Sequence, residues 1–178
     1  MSPHATLSSG QVGRLRRARG DDAERIAAIY NQAIATRHST MDTVPRTAGD
    51  MVAKVEGLGT REVMTVVEVS NNVLGWGIIK AYSDRPGYFH AAESSVYVDA
   101  AASGQGLGTA VMRDLFERAR ALDYSHLVAK ILAINTSSVA FHERLGFEIV
   151  GVQRQIGLLG GIWHDVVIMQ RLDRANSQ

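Results

Sequence analysis

The chain has 178 residues, 46% of them hydrophobic and 21% charged, with a formal net charge of +1 and no cysteine. That length suits one domain with a sizeable core. The near-neutral charge speaks against a nucleic-acid surface, no run reaches the ~18 apolar residues of a membrane span, and the missing cysteines remove disulfides, thiolate metal sites and a cysteine nucleophile together.

The opening "MSPHATLSSGQVGRLRRARGDD" has no apolar core and does not read as a secretory signal, so a cytoplasmic location is expected. Residues 1–12 are expected to be a disordered tail, 13–173 one domain, and 174–178 a second short tail. "GRLRRA" is the first strand, and Arg14, Arg16, Arg17 and Arg19 read as a solvated strand edge rather than a polyanion site. Asp21 or Asp22 offers a cap to a helix carrying Ile26, Ile29, Tyr30, Ala33 and Ile34 at helical spacing. "RHSTMDTVPRT" is a loop, because Pro45 argues against a helix through it. "AGDMVAKVEGL" is a second, weaker helix ending near Gly57 or Gly59. "EVMTVVEVS" and "VLGWGIIKAY" are strands joined by a turn at Asn71 and Asn72. "DRPGYFHAA" is a loop and "ESSVYVDA" a strand. Residues 106–122 form a helix with Val111, Met112, Leu115, Phe116 and Ala119 on one side. "HLVAKILAI" is nearly all apolar, which suits a strand buried on both faces, such as a parallel partner of the strand before that helix. "SSVAFHERLGF" is a short helix closed by Gly146, and "EIVGVQRQI" and "WHDVVIMQRL" form a final hairpin.

Strand, glycine turn, helix and buried strand over residues 94–134 make a βαβ unit. The turn "GQGLGT" opens a helix N-terminus, where backbone N–H groups lack helical partners and the dipole favours an anion. A phosphate loop for ATP needs Gly-Lys-Ser/Thr at its end, and here Gly108, Thr109 and Ala110 stand there. A dinucleotide fingerprint needs G-x-G-x-x-G and an acid after the second strand, where this chain has Asn135. Taken alone, the turn does not separate a diphosphate cradle from a tight corner.

The next segment, "INTSSVAFHERLGF", sets Asn135, Ser138, His142, Gly146 and Phe147 in the pattern N-x-x-S-x-x-x-H-x-x-x-G-F. With "AAIYNQAIATRHSTMDTVP", "GWGIIKAYSDRPGY", "ESSVYV", "GQGLGTAVM" and "WHDVVIMQRL", it resembles the GCN5-related N-acetyltransferase superfamily over residues 14–172. Within that superfamily the chain is similar to the phosphinothricin (methionine sulfoximine) acetyltransferases.

The resemblance implies an α+β (α/β) fold: a mostly antiparallel, twisted mixed sheet with a central splayed parallel pair, near 93–98 and 126–134, flanked by helices. It implies acetyl-CoA in the gap as cosubstrate, a small-molecule amine as acceptor, a homodimer, and no metal. The implied cofactor contacts are Val96 and Val98 beside the pantetheine arm, Ser103, Gly104, Gln105, Gly106, Leu107, Gly108 and Thr109 at the diphosphate, and Asn135 and Ser138. The bland reading of Asn135 is a helix cap, and both roles can hold together. The resemblance places a general base at Glu93, whose bland reading is a surface carboxylate at a strand end. His142 stands where many members of the superfamily have a tyrosine near the CoA sulfur and the subfamily commonly a histidine, which implies a catalytic group that donates toward the thiolate or supports the proton path; the alternative is a helix histidine that packs and bonds locally. Arg85 and Tyr88 match a substrate-binding R-x-x-Y, and their structural reading is a loop salt bridge and a packed ring.

Several positions depart from that pattern. Ser103 replaces an arginine or glutamine that assists the diphosphate, with Gln105 the candidate substitute. Met41, a substrate-site position, stands where an aromatic is usual, Ala91 replaces a frequent threonine, and Leu159 and Ile162 replace basic residues. These changes fit a less acidic amine than phosphinothricin. Trp76 and Trp163 are expected at the core or a dimer interface. Competing readings are a module that binds acyl-CoA without efficient transfer, and a nucleotide-dependent oxidoreductase; the single βαβ unit and the missing acid count against the second. The histidines show no ligand-like spacing.

Overall fold

The computed structural model of the chain describes residues 4–6, 10 and 12–173. Its strands are β1 (His4–Thr6), β2 (Val12–Arg17), β3 (Val63–Val69), β4 (Asn72–Ala81), β5 (Ala91–Val98), β6 (His126–Leu132), β7 (Glu148–Leu159) and β8 (Ile162–Leu172). Its helices are α1 (Ala23–Thr36), α2 (Ala48–Glu56), α3 (Leu107–Ala121) and α4 (Thr136–Arg144). The strands form one sheet in the order β1-β2-β3-β4-β5-β6-β8-β7. Every neighbouring pair is antiparallel except β5 and β6 at its centre. A parallel pair needs a crossover, and α3 is that crossover. The expected α+β class, with its mixed sheet and central parallel pair, is the architecture observed.

The two faces of the sheet carry separate cores. On one, Val111, Met112 and Leu115 of α3 pack on Val67, Ile79 and Ala129. On the other, Ile26, Ile29 and Tyr30 of α1 and Met51 of α2 pack on Val66, Trp76 and Ile78. Alternation along each strand divides its side chains between these layers. β6 is buried on both faces as its apolar run predicts, with Lys130 the exposed exception.

Four local expectations change. Residues 4–6, read as part of a disordered tail, pair with β2 as β1; the other residues of that tail before Gly10, Gln11, and the tail over 174–178 lie outside the described residues. The β3–β4 turn sits one residue earlier than expected, at Ser70 and Asn71, with φ of +49° and +63°. Asn72 instead pairs with Val69 and closes the hairpin. Asp22 occupies the N-cap position before α1 but does not cap the helix with its side chain. Its carboxylate accepts from Arg16 at 2.7 and 2.8 Å and from Arg19 N–H. Arg16 also donates to Glu68 at 2.7 Å, so this arginine ties β2 to β3 and α1 instead of lying in solvent. Trp76 is fully buried, whereas Trp163 is 58% exposed on β8.

Candidate active site

β5 and β6 share three rungs: Ala91 with His126, Ala92 with Leu127, and Glu93 with Val128. Beyond them β5 stays paired to β4 as far as Val98, and β6 stays paired to β8 as far as Leu132. Each strand keeps its outer neighbour while the inner edges part. Between them lies a cleft of about 570 Å³, walled by residues 94–98 and 129–132. Inner-edge N–H and C=O groups without ladder partners are there for an extended ligand with amides of its own.

The turn after β5 brings donors to one end of this cleft. Asp99 accepts from Ala101 N–H at 3.0 Å and from Arg25 at 2.7 Å; the arginine bond is the main cause that holds its carboxyl below the usual range. Gly104 and Gly106 have φ of +78° and +85°, a region that costs any L side chain strain. Gly106 precedes α3, which has no side-chain cap. The first bond of the helix runs from Ala110 N–H to Gly106 C=O at 3.0 Å. The N–H groups of Leu107, Gly108 and Thr109 therefore have no acceptor among the described residues, and all three residues line the cleft with Ser103. Uncapped donors at the positive end of a helix suit a diphosphate. Gln105, the candidate substitute for the lost side chain at 103, is not part of the lining. Arg144 at the end of α4 is, and no pattern in the sequence singled it out.

On the opposite wall, Asn135 starts α4. Its Oδ1 accepts from Ser138 N–H at 3.1 Å and from Ser137 Oγ at 3.0 Å, and its Nδ2 donates to Ser39 Oγ at 3.2 Å. The cap reading is thus what the geometry displays, and Asn135 and Ser138 also line the cleft. His142 is buried, with its ring nearly perpendicular to those of Phe141 and Phe147. Its Nδ1 lies 2.8 Å from Ser138 C=O, a contact that requires the proton on Nδ1 and leaves a lone pair on Nε2. Burial lowers its pKa, only partly offset by that backbone bond, so the ring is held neutral.

Glu93 stands on the last shared rung. Its Oε2 accepts from Lys130 Nζ at 2.7 Å. Lys80 faces Glu93 directly across the β4–β5 ladder. The carboxylate is three-quarters covered and lines neither cavity itself; Lys130 lines both. The second cavity, of about 630 Å³, adjoins the cleft through Ser39, Lys130 and Leu132. Met41 and Tyr82 belong to its wall, as do Val166 and Ile168. Met41 packs there against Leu132, Leu159 and Val166. Arg85 and Tyr88 are exposed on the β4–β5 loop and line neither cavity; the Tyr88 ring contacts Tyr82 at 5.4 Å. Lys130 is legible as the single charge in "HLVAKILAI", a run whose apolar character otherwise predicts only a buried strand. Among the described residues no three His, Asp or Glu converge as a metal site needs, and no helix is long and apolar enough to cross a membrane.

Residues 26–147 match the Acetyltransferase (GNAT) family. This chain belongs to that family. It is an acetyl-CoA-dependent N-acetyltransferase. It is 32% identical over 151 residues to the L-methionine sulfoximine/L-methionine sulfone acetyltransferase of Pseudomonas paraeruginosa, covering 84% of this chain and 88% of that one. It is 31% identical over 159 residues to the phosphinothricin N-acetyltransferase of Alcaligenes faecalis, covering 88% and 81% respectively. The crystal structure of a phosphinothricin acetyltransferase from Sinorhizobium meliloti in complex with acetyl-CoA superposes with a TM-score of 0.86 at 28% identity, covering 93% of this chain and 91% of that one. The residues of this acetyltransferase fit the carrier: free helix donors for its diphosphate, and parted strand edges for the amides of its arm.

Proposed function

We propose that this acetyltransferase acts on the amine of a small amino acid or amino-acid analogue, with Glu93 as general base. The observation that supports the assignment most is the position of Glu93. It stands on the last rung before the strands part, bonded to Lys130, one of three residues that line both cavities. Acetyl-CoA supplies a thioester carbonyl for an amine nitrogen to attack and a thiolate to leave. An ammonium must first lose a proton, and the Glu93 carboxylate takes it directly or through one water. In this reading the cleft residues Val96, Val98, Gly106, Leu107, Gly108 and Thr109 hold the carrier through main-chain groups, and Ser103 adds at most a hydroxyl. Asn135 and Ser138 shape the wall opposite. His142, neutral and with Nδ1–H committed to Ser138, is an acceptor and a packing residue and not a proton donor to the thiolate. The relatives named for methionine sulfoximine and phosphinothricin support an acceptor of that size. The apolar wall around Met41 favours an uncharged side chain.

We further infer a homodimer, built on β7 and β8. Ile149, Val152, Ile156, Leu158, Ile162 and Trp163 are each half or more exposed along that hairpin.

A panel of amines and amino acids with detection of free CoA tests the function. Turnover of small α-amino acids is the expected result. Acetyl-CoA binding by calorimetry without turnover of any amine defeats it in favour of a module that holds the carrier only.

A further inference from the structure

We propose that Lys130 determines acceptor specificity: its ammonium takes the carboxylate of an incoming α-amino acid, and that exchange frees Glu93. This inference rests on the transferase reading above.

Lys130 is the only charged residue lining the second cavity among the described residues. Met41, Leu132, Val166 and Ile168 give the same cavity apolar surface, and Ser39, shared with the cleft, adds an uncharged hydroxyl. A carboxylate entering this space meets one cation. The ammonium has three donors, and Glu93 uses one of them at 2.7 Å. The Lys130 side chain is 48% exposed and lines the cavity, so part of its surface is open to an incoming anion. Lys130 is also one of three residues common to both cavities, so an anion held there lies where acceptor and carrier meet.

The geometry of an α-amino acid fits this arrangement. Its carboxylate and amine are separated by one carbon. A carboxylate on Lys130 therefore delivers the amine beside the ammonium's present partner, Glu93. The base then exchanges a fixed cation for the substrate's own ammonium. Lys80, opposite Glu93 on β4, keeps a positive group next to the carboxylate during the exchange. The apolar wall of the same cavity takes the side chain. Arg85, the cation expected to bind a substrate carboxylate, lines neither cavity. The chemical class implied is an α-amino acid with a free carboxylate and an uncharged side chain.

The test compares L-methionine with L-methioninamide, which share a side chain and differ at the carboxylate. The kcat/KM ratio of acid to amide is measured in wild type, Lys130→Met, Lys130→Gln and Lys130→Arg. The amide's different amine basicity cancels, because the same pair is read in every protein. Loss of the tether to Glu93 alone lowers both substrates alike and leaves the ratio unchanged. The proposal expects Met and Gln to lower the ratio by roughly tenfold or more, the worth of one charge-assisted hydrogen bond. Arg is expected to restore much of it. A ratio that stays constant across the four proteins overturns the proposal and leaves Lys130 a tether for Glu93. Absence of turnover with every amine overturns the transferase reading itself, and this inference with it.

Discussion

Glu93 and Val128 face each other across the last rung shared by β5 and β6, and just past it Ser94 Oγ still reaches Val128 C=O at 3.4 Å. The proposed base is thus fixed by the sheet at the point of divergence. Replacing Glu93 with Gln keeps size and hydrogen bonding but removes the proton acceptor. Turnover is expected to fall about 100-fold or more, with acetyl-CoA affinity by calorimetry nearly unchanged. An equal loss in both, or in neither, counts against the assignment.

Gly106 holds φ of +85° at the start of α3. Gly106→Ala places a Cβ in that region at a cost of about 1–2 kcal/mol. Urea denaturation should register that loss, and acetyl-CoA titration should show weaker binding as the donor cradle shifts. Binding and stability both equal to wild type would mean that the turn tolerates another conformation and is no cradle.

His142 gives a pH signature. Its folded pKa lies below the ordinary histidine value of about 6.5 because it is buried. Above 6.5 both folded and unfolded chains carry a neutral ring. Below it the unfolded chain takes up the proton first, so stability falls as pH drops toward the lowered native value and levels off beneath it. Melting curves between pH 7.5 and 5, roughly the span in which a histidine titrates, should show a steeper loss in wild type than in His142→Gln. Parallel curves would mean that the imidazole contributes nothing to the pH dependence.

Met41 and Gly157 are interlocked. A Cβ at 157 would run into the Met41 Cε. The end of a methionine is flexible, so Gly157→Ala is expected to cost under about 1 kcal/mol of stability. Its effect belongs in the second cavity, where it displaces Met41 and raises the acceptor KM. Met41→Ala should largely relieve that increase in the double variant. Strictly additive KM changes would show that the two positions act independently.

Trp163 and Ile156 test the dimer. Sedimentation equilibrium should give twice the chain mass for wild type, and Ile156→Lys with Trp163→Lys should shift it to the monomer. A monomeric wild type leaves the hairpin's apolar stripe without a partner copy.

The sequence made the order of elements readable wherever period and punctuation agreed. Residues 107–121 show a helical stripe after glycines, and 126–132 form an unbroken apolar run. The proposed carrier cleft was readable because most of its parts are contiguous: one turn, one helix start, one strand edge. The second cavity was readable only in part, since Met41 was singled out but Lys130 was not. Glu93 and Lys130 are 37 residues apart and meet only through strand pairing. Arg85 and Tyr88 matched a pattern, yet the loop turns them to solvent. The Asp22–Arg16–Glu68 network was hidden for the same reason, since a cluster of arginines looks solvated until its carboxylate partners fold over it. Asn71 lies in the turn as its residue type predicts, but a turn of Asn-Asn and one of Ser-Asn are nearly equivalent by composition. Cross-strand register alone decides between them.

Three rungs join the two half-sheets at the centre of this molecule. Such a seam is a mechanical weak point, and a carrier that bridges it works as a suture. Heat tolerance should then climb with the logarithm of carrier concentration. Amide exchange in residues 94–98 and 129–132 should slow together when the carrier is added. Cells that keep acetyl-CoA abundant would thereby also keep this enzyme whole.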